Sequence, residues 1–142
     1  MALKISTVQM RFTGDVSGNR ERILHYIEKA VEAGSHLVHF SEVALTGYAG
    51  SDIESNEGIN WGLVQESIDK IRGAAAESKI WVILGTAFRR GEGLKPFNSL
   101  LLINDAGAVE DRYDKMYCTA ADVQHYSSGK KMVSFSVNGI RC

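Results

Sequence analysis

The chain has 142 residues, of which 44% are hydrophobic, and its net charge is -1. This length predicts one domain over 1–142 with a sizeable core, and the near-neutral charge excludes a basic face for nucleic acid or anionic lipid. Two cysteines exclude a disulfide framework, so we expect a cytoplasmic protein. We expect no membrane segment, because no apolar stretch approaches the about 20 residues that cross a bilayer.

The first third of the chain predicts a strand, a helix and a second strand. Residues 3–10 alternate apolar and polar side chains, which is typical of a strand. An apolar stripe with three- and four-residue spacing predicts a helix over about 18–33, with three candidate N-caps, Asp15, Ser17 and Asn19. The short apolar segment 36–40 then predicts a strand, so the three elements form a βαβ unit with parallel strands.

The middle of the chain predicts a long loop, a helix and a buried strand. Residues 43–58 are rich in Gly, Ser, Asp and Asn, and a connection of this length is more often functional than idle. A second amphipathic helix is predicted over about 59–78. Residues 80–85 are almost wholly apolar, which indicates a strand that is buried on both faces.

The last third predicts two hairpins. Strands over 97–103 and 109–113 are separated by the turn residues 104–107. Strands over 131–137 and 140–142 flank a second turn at Asn138-Gly139. The element order therefore predicts an α/β layered domain with a mixed sheet.

Three residues near predicted strand ends have the chemistry of a catalytic site: Glu42, Lys115 and Cys142. In α/β proteins, ligands usually bind at the carboxyl ends of sheet strands. Each residue also has an ordinary interpretation, which is a solvated glutamate, a surface lysine or a small buried hydrophobic residue. A reactive cysteine needs a base or a cation nearby, and the other two residues supply both if the fold brings them together.

Cofactor sites are not indicated. The four histidines lack metal-ligand spacing, since His36 and His39 face opposite sides of one short strand, so no metal is predicted. The glycines form neither of the two common phosphate-binding motifs, so no nucleotide cofactor is predicted.

A series of short motifs occurs in a fixed order along the chain: Ser41-Glu42, Leu45-Thr46-Gly47-Tyr48, Phe97-Asn98-Ser99, Gly107, Tyr113-Asp114-Lys115, Tyr126-Ser127-Ser128-Gly129 and Gly139-Ile140-Arg141-Cys142. With this order and spacing, the whole chain resembles the carbon–nitrogen hydrolase (nitrilase) superfamily. The resemblance implies a four-layer αββα sandwich, of which these residues form the N-terminal half.

The resemblance also implies roles for individual residues. Glu42 matches the general base, Lys115 the cation that stabilises the tetrahedral intermediate, and Cys142 the nucleophile. The implied reaction attacks an amide or nitrile carbon, releases ammonia or an amine, and leaves a thioester that water hydrolyses. Amide substrates are favoured over nitriles, because true nitrilases are a minority of the family.

The sequence departs from the family pattern at several positions. Ser41 stands where the family usually has proline, and Tyr117 replaces a common histidine. The family's second glutamate has two candidate replacements here, Asp122 and Gln124. Together with Tyr48, these two residues are the predicted substrate-binding positions.

The family domain is nearly twice as long as this chain, so we expect residues 1–142 to be inactive alone. The first hypothesis is a hydrolase that acts on a non-peptide C–N bond of a small molecule, in a homo-oligomer. The second is an inactive fragment that serves as a structural module with a partner chain, since half a sandwich leaves strand edges open. A third interpretation is that the chain is one part of a longer protein.

Overall fold

The computed structural model describes residues 2–142, which form an α/β fold. The strands are β1 (Ile5–Val8), β2 (Leu37–Phe40), β3 (Trp81–Phe88), β4 (Phe97–Ile103), β5 (Val109–Asp114), β6 (Ser136–Val137) and β7 (Ile140–Arg141). The helices are α1 (Val16–Glu32), α2 (Trp61–Ser78) and the short α3 (Asp122–His125), with a 3₁₀ turn at Asn56–Gly58.

The first five strands form one mixed sheet in the order β1-β2-β3-β4-β5. Strands β1, β2 and β3 are parallel, whereas β4 and β5 are antiparallel to their neighbours. The predicted βαβαβ order and the mixed sheet are therefore confirmed. Glu42 follows the carboxyl end of β2, and Lys115 follows that of β5. Strand β4 lies between β3 and β5.

Side-chain caps set the start of both long helices. Asp15 accepts a hydrogen bond from the Gly18 N–H at 3.1 Å, so α1 begins at Val16, two residues earlier than predicted. Asn60 accepts from the Leu63 N–H at 3.1 Å and caps α2 in the same way. Each helix then buries an apolar stripe against the sheet: Ile23, Ile27 and Ala30 in α1, and Val64, Ile68, Ile71 and Ala75 in α2.

The two faces of the sheet have different neighbours. Val82 and Leu84 of β3 are fully buried in the cluster that includes α1 and α2. Trp81 alternates with them and points to the opposite face, where the Phe135 ring stacks on it with centroids 5.6 Å apart. The C-terminal segment therefore packs on the face away from the helices.

The predicted C-terminal hairpin is correct in its turn but too long in its strands. Only Ser136–Val137 and Ile140–Arg141 pair as β6 and β7. Residues 131–135 before them form no regular strand, and Lys131 in that segment bonds the Asp111 carboxylate at 2.6 Å. None of the helices that residues 2–142 form is long and apolar enough to cross a membrane.

Candidate active site

A strained turn after β2 brings Glu42 against the middle of β3. A Cβ atom at Gly85 would lie 1.9 Å from the Ser41 carbonyl oxygen and 2.8 Å from the Glu42 Cα, so only glycine permits this approach. Val43 has a φ of 46°, a left-handed conformation that is rare for a β-branched residue. The Leu45 N–H bonds the Gly85 carbonyl at 3.0 Å and closes the turn on β3.

Lys115 contacts Glu42 from the carboxyl end of β5, at the same edge of the sheet. Its backbone N–H bonds the Asn98 carbonyl at 2.8 Å, which places it one residue beyond the end of β5. Its Nζ atom lies 3.2 Å from Glu42 Oε2. Asn98 Nδ2 donates to the same oxygen at 2.9 Å. Residues that are 73 positions apart are thus joined in one ion pair.

Asp122 is the second acid at Lys115. Its side chain is 1% exposed, and Oδ2 lies 3.1 Å from Lys115 Nζ. Oδ2 also accepts from the Thr119 N–H at 2.8 Å, while the Thr119 hydroxyl accepts from the Asp122 N–H at 3.1 Å. Tyr48 donates its hydroxyl to Oδ1. Both oxygens of the buried carboxylate, which opens α3, therefore have hydrogen-bond partners.

These contacts change the ionisation of the site. Burial disfavours the charged form of Asp122, but the hydrogen bonds from Tyr48 and Thr119 and the Lys115 contact outweigh it and lower its pKa to about 2. Burial likewise lowers the pKa of Lys115, yet Asp122 and Glu42 raise it well above its ordinary value. Burial and the bond to Asp122 raise the pKa of Tyr48 to about 12. A neutral Tyr48, an ionised Asp122 and a charged Lys115 are therefore fixed at physiological pH.

Within residues 2–142, Cys142 has no hydrogen bond to this cluster. Its backbone pairs with Phe135, whose ring stacks on Trp81, the first residue of β3. Glu42 lies against Gly85, four residues further along that strand. The exposed thiol has a hydrogen bond to the Ile140 carbonyl oxygen at 3.7 Å, and within residues 2–142 it has none to Glu42 or Lys115. Its role as nucleophile remains a prediction.

Gln124 is also outside the cluster. It is exposed on α3 and lines a cavity of about 370 Å³ together with Trp61, Arg89, Lys95 and His125. Asp122 is thus the candidate that contacts Lys115. The substrate contact predicted for Gln124 stays a prediction. The sequence analysis assigned no role to Asn98, although it is part of the Phe97-Asn98-Ser99 motif.

The cluster has the chemical parts for attack on an acyl carbon. Glu42 is a carboxylate with half of its side chain exposed, so a thiol or a water can reach it. Lys115 is a charged donor that two carboxylates hold in place, as stabilisation of an oxyanion requires. Asp122 contacts that donor directly, and Tyr48 in turn holds the Asp122 carboxylate.

Comparisons with known proteins show the family of the chain. A family model described as Carbon-nitrogen hydrolase matches residues 4–141. The glutamine-dependent NAD(+) synthetase of Xylella fastidiosa is 33% identical over 144 residues, which cover 99% of this chain and 24% of the synthetase. The synthetase of the same name from Aquifex aeolicus is 42% identical over 52 residues, or 36% of this chain and 9% of that protein.

Solved structures share the fold. A variant of the amidase from Nesterenkonia sp. AN1 in complex with butyramide matches with a TM-score of 0.85 and 20% identity, over 98% of this chain and 53% of that chain. The glutamine-dependent NAD+ synthetase from Acinetobacter baumannii matches with a TM-score of 0.75 and 18% identity, over 98% of this chain and 26% of that chain. This chain therefore spans about half the length of the amidase and about a quarter of the synthetases.

Proposed function

The chain belongs to the carbon–nitrogen hydrolase family, and from this premise we propose that the protein hydrolyses the C–N bond of a linear carboxamide through a cysteine thioester. The observation that carries the proposal is the contact of Lys115 with both Glu42 and Asp122, at 3.2 and 3.1 Å. It assembles a base and an oxyanion-stabilising cation in one place.

In the proposed first half-reaction, Glu42 takes the thiol proton as the sulfur bonds to the amide carbon. The carbonyl electrons move to oxygen, and the Lys115 ammonium stabilises that negative charge. The C–N bond then breaks, and the nitrogen takes the proton from Glu42 and leaves as ammonia or an amine. In the second half-reaction, Glu42 deprotonates a water that attacks the thioester carbon. The C–S bond then breaks, the sulfur takes the proton back from Glu42, and the products are a carboxylic acid and the free thiol.

The nucleophile in this proposal is Cys142, as the order of motifs predicted. Cys118, whose thiol bonds the Lys115 carbonyl at 3.6 Å, provides a matched control because it is the other cysteine of the chain. Butyramide is the first substrate to test, because it is the amide in the complex of the related amidase.

The test is a search for the acylated cysteine in the intact protein. We expect butyramide to yield ammonia and a butyryl adduct on the peptide that carries Cys142, with both lost in Cys142→Ala and retained in Cys118→Ala. An adduct on a different cysteine would remove the assignment to Cys142 but keep the family chemistry. The absence of ammonia release from all linear amides and nitriles would refute the proposed function.

A second matched pair tests the base. Glu42→Gln should lower kcat/KM at least about 100-fold, because the amide cannot accept the thiol proton. Glu110→Gln is the control, since Glu110 also accepts from an asparagine amide, at 3.0 Å from Asn104 Nδ2, but lies in β5 away from the cluster. Equal activity of the two variants would exclude Glu42 as the base.

A second candidate substrate is the side-chain amide of glutamine. The curated relatives are glutamine-dependent synthetases, and one of them is 33% identical over almost the whole chain. In this alternative the same residues release ammonia for a separate synthetase reaction. A kcat/KM for glutamine more than about tenfold above that for butyramide would favour it, and the reverse order would favour a simple amidase. Homo-oligomeric assembly and a cytoplasmic location stay predictions.

A further inference from the structure

Asn98 is a buried amide between the two charged residues of the cluster. It lies in β4, the strand between β3 and β5, and only 3% of it is exposed. A buried side-chain amide must find hydrogen-bond partners, because leaving it unpaired is costly. Its Nδ2 atom has one at 2.9 Å, and that partner is Glu42 Oε2.

The backbone of the same residue holds the cation. The Asn98 carbonyl accepts the Lys115 N–H at 2.8 Å, so Asn98 contacts Glu42 through its side chain and Lys115 through its main chain. Its strand neighbour across the sheet is Ala87, in the longest strand of the fold. The residue is therefore fixed on a rigid element, whereas Glu42 is on a turn.

The two carboxylate oxygens of Glu42 differ in their hydrogen bonds. Oε2 accepts from Asn98 Nδ2 and from Lys115 Nζ, at 2.9 and 3.2 Å. In the part of the chain that the structure describes, Oε1 has no hydrogen bond. Two donors on one oxygen fix the rotation of the carboxylate and leave the lone pairs of the other oxygen for an incoming proton.

We propose that Asn98 is a positioning residue that holds Glu42 Oε2 and thereby makes Oε1 the atom that accepts the proton in the reaction. The inference rests on the proposed function, in which Glu42 is the base. An amide suits this role because it donates without carrying a charge, so it orients the carboxylate without competing with Lys115 for it.

The experiment is a pH profile of amide hydrolysis by the intact protein, with rates divided by the concentration of titrated active cysteine. In Asn98→Asp a carboxylate replaces the amide with almost no change in size. We expect kcat/KM to fall about 10- to 100-fold at neutral pH, which corresponds to losing a hydrogen bond to a charged group. The acid limb of the profile should move to higher pH, because a carboxylate beside Glu42 disfavours its charged form.

Asn104→Asp is the matched control. Asn104 also donates its amide to a glutamate, at 3.0 Å to Glu110 Oε2, but it follows the far end of β4. This variant adds the same charge and removes the same kind of bond, so it should keep the wild-type pH profile. If Asn98→Asp does not fold, Asn98→Ser with its shorter hydroxyl side chain replaces it in the same measurement.

The outcomes separate the two proposals. An inactive wild-type protein would refute the proposed function and not the role of Asn98 alone. An active wild type, together with Asn98 variants that lose thermal stability but keep the wild-type pH profile per active site, would overturn the inference and leave Asn98 a structural residue. A loss of kcat with little change in KM and a displaced acid limb would support it.

Discussion

The Glu42 cluster and the Cys142 hairpin lie in the same chain but are held in different ways. The cluster joins β2, β5 and α3 through buried groups, with Asp122 only 1% exposed and Gly85 in direct contact with the Glu42 backbone. The hairpin consists of two strands of two residues each; the Phe135 ring beside it stacks on Trp81, and Val137 is fully buried.

The proposed acid–base residues and the predicted nucleophile are therefore held in place by different parts of the structure. The cluster is held by several contacts at once, because Glu42 Oε2, Lys115 Nζ and Asp122 Oδ2 each have two partners. The hairpin pairs over only two residues in each strand, and most of its residues are at least partly exposed. Substitutions in the two regions should therefore differ in size and in what they disturb.

The largest effect is expected where the cluster meets β3. Gly85→Ala places a Cβ atom against backbone that cannot move aside, and should destabilise the fold by about 4 kcal/mol. Gly139→Ala is the hairpin counterpart: its φ is 76° but nothing lies within 4 Å, so it should cost only about 1 kcal/mol. Urea unfolding of both variants gives the comparison. Equal losses would show that the cluster is no more constrained than the hairpin.

The next effect concerns the charge balance of the cluster. Lys115→Met removes the cation from a buried carboxylate and should destabilise the fold by about 3 kcal/mol. Lys131→Met is the control, because the Lys131–Asp111 pair is short at 2.6 Å but exposed, and its loss should change stability little. A loss for Lys131→Met as large as that for Lys115→Met would contradict the assignment of a buried, structural charge to Asp122.

A smaller effect should appear as a change in acid stability. The Asp122 pKa is lowered from 3.8 to about 2, so the stability from its charged form is present above pH about 4 and is lost as the pH falls towards 2. Asp122→Asn should lose about 2 kcal/mol at pH 6 and show a flatter decline below pH 4. Unfolding free energies at pH 6, 4 and 3 test this. Parallel pH curves for variant and wild type would refute the lowered pKa.

The smallest effect is expected in the hairpin. Phe135→Ala removes the stack on Trp81 and should cost about 1 kcal/mol, while the cluster stays assembled. The readout is the alkaline absorbance titration of Tyr48, assigned by difference from Tyr48→Phe, which should keep its midpoint near pH 12. A midpoint that falls towards 10 in Phe135→Ala would show that the two regions are coupled.

Much of the fold was predictable because apolar periodicity is a local property. The stripes of α1 and α2 and the apolar run of β3 lie where their spacing predicts, and the turn at Asn138-Gly139 is present. The segment 131–135 was wrongly predicted as a strand, because apolar–polar alternation is local and does not show how many residues find a pairing partner.

The cluster was predictable only in part. The family resemblance assigned Glu42 and Lys115 to one catalytic set. Periodicity alone could not relate two residues that are 73 positions apart. The short helix α3 was missed, although the reciprocal bonds of Thr119 and Asp122 follow a capping pattern that is readable from sequence. The sequence could not decide whether Asp122 or Gln124 lies beside Lys115, because that depends on which side of one helical turn faces the lysine.

The charge count of the cluster has a consequence for turnover. Two carboxylates, Glu42 and Asp122, surround one ammonium, so the site carries a surplus of negative charge before substrate arrives. A neutral amide enters such a site without electrostatic cost, but the carboxylate that hydrolysis would produce has the same sign as the surplus. In an amide hydrolase of this design, product would dissociate readily, and the acid should be a much weaker inhibitor than an uncharged analogue of the same shape.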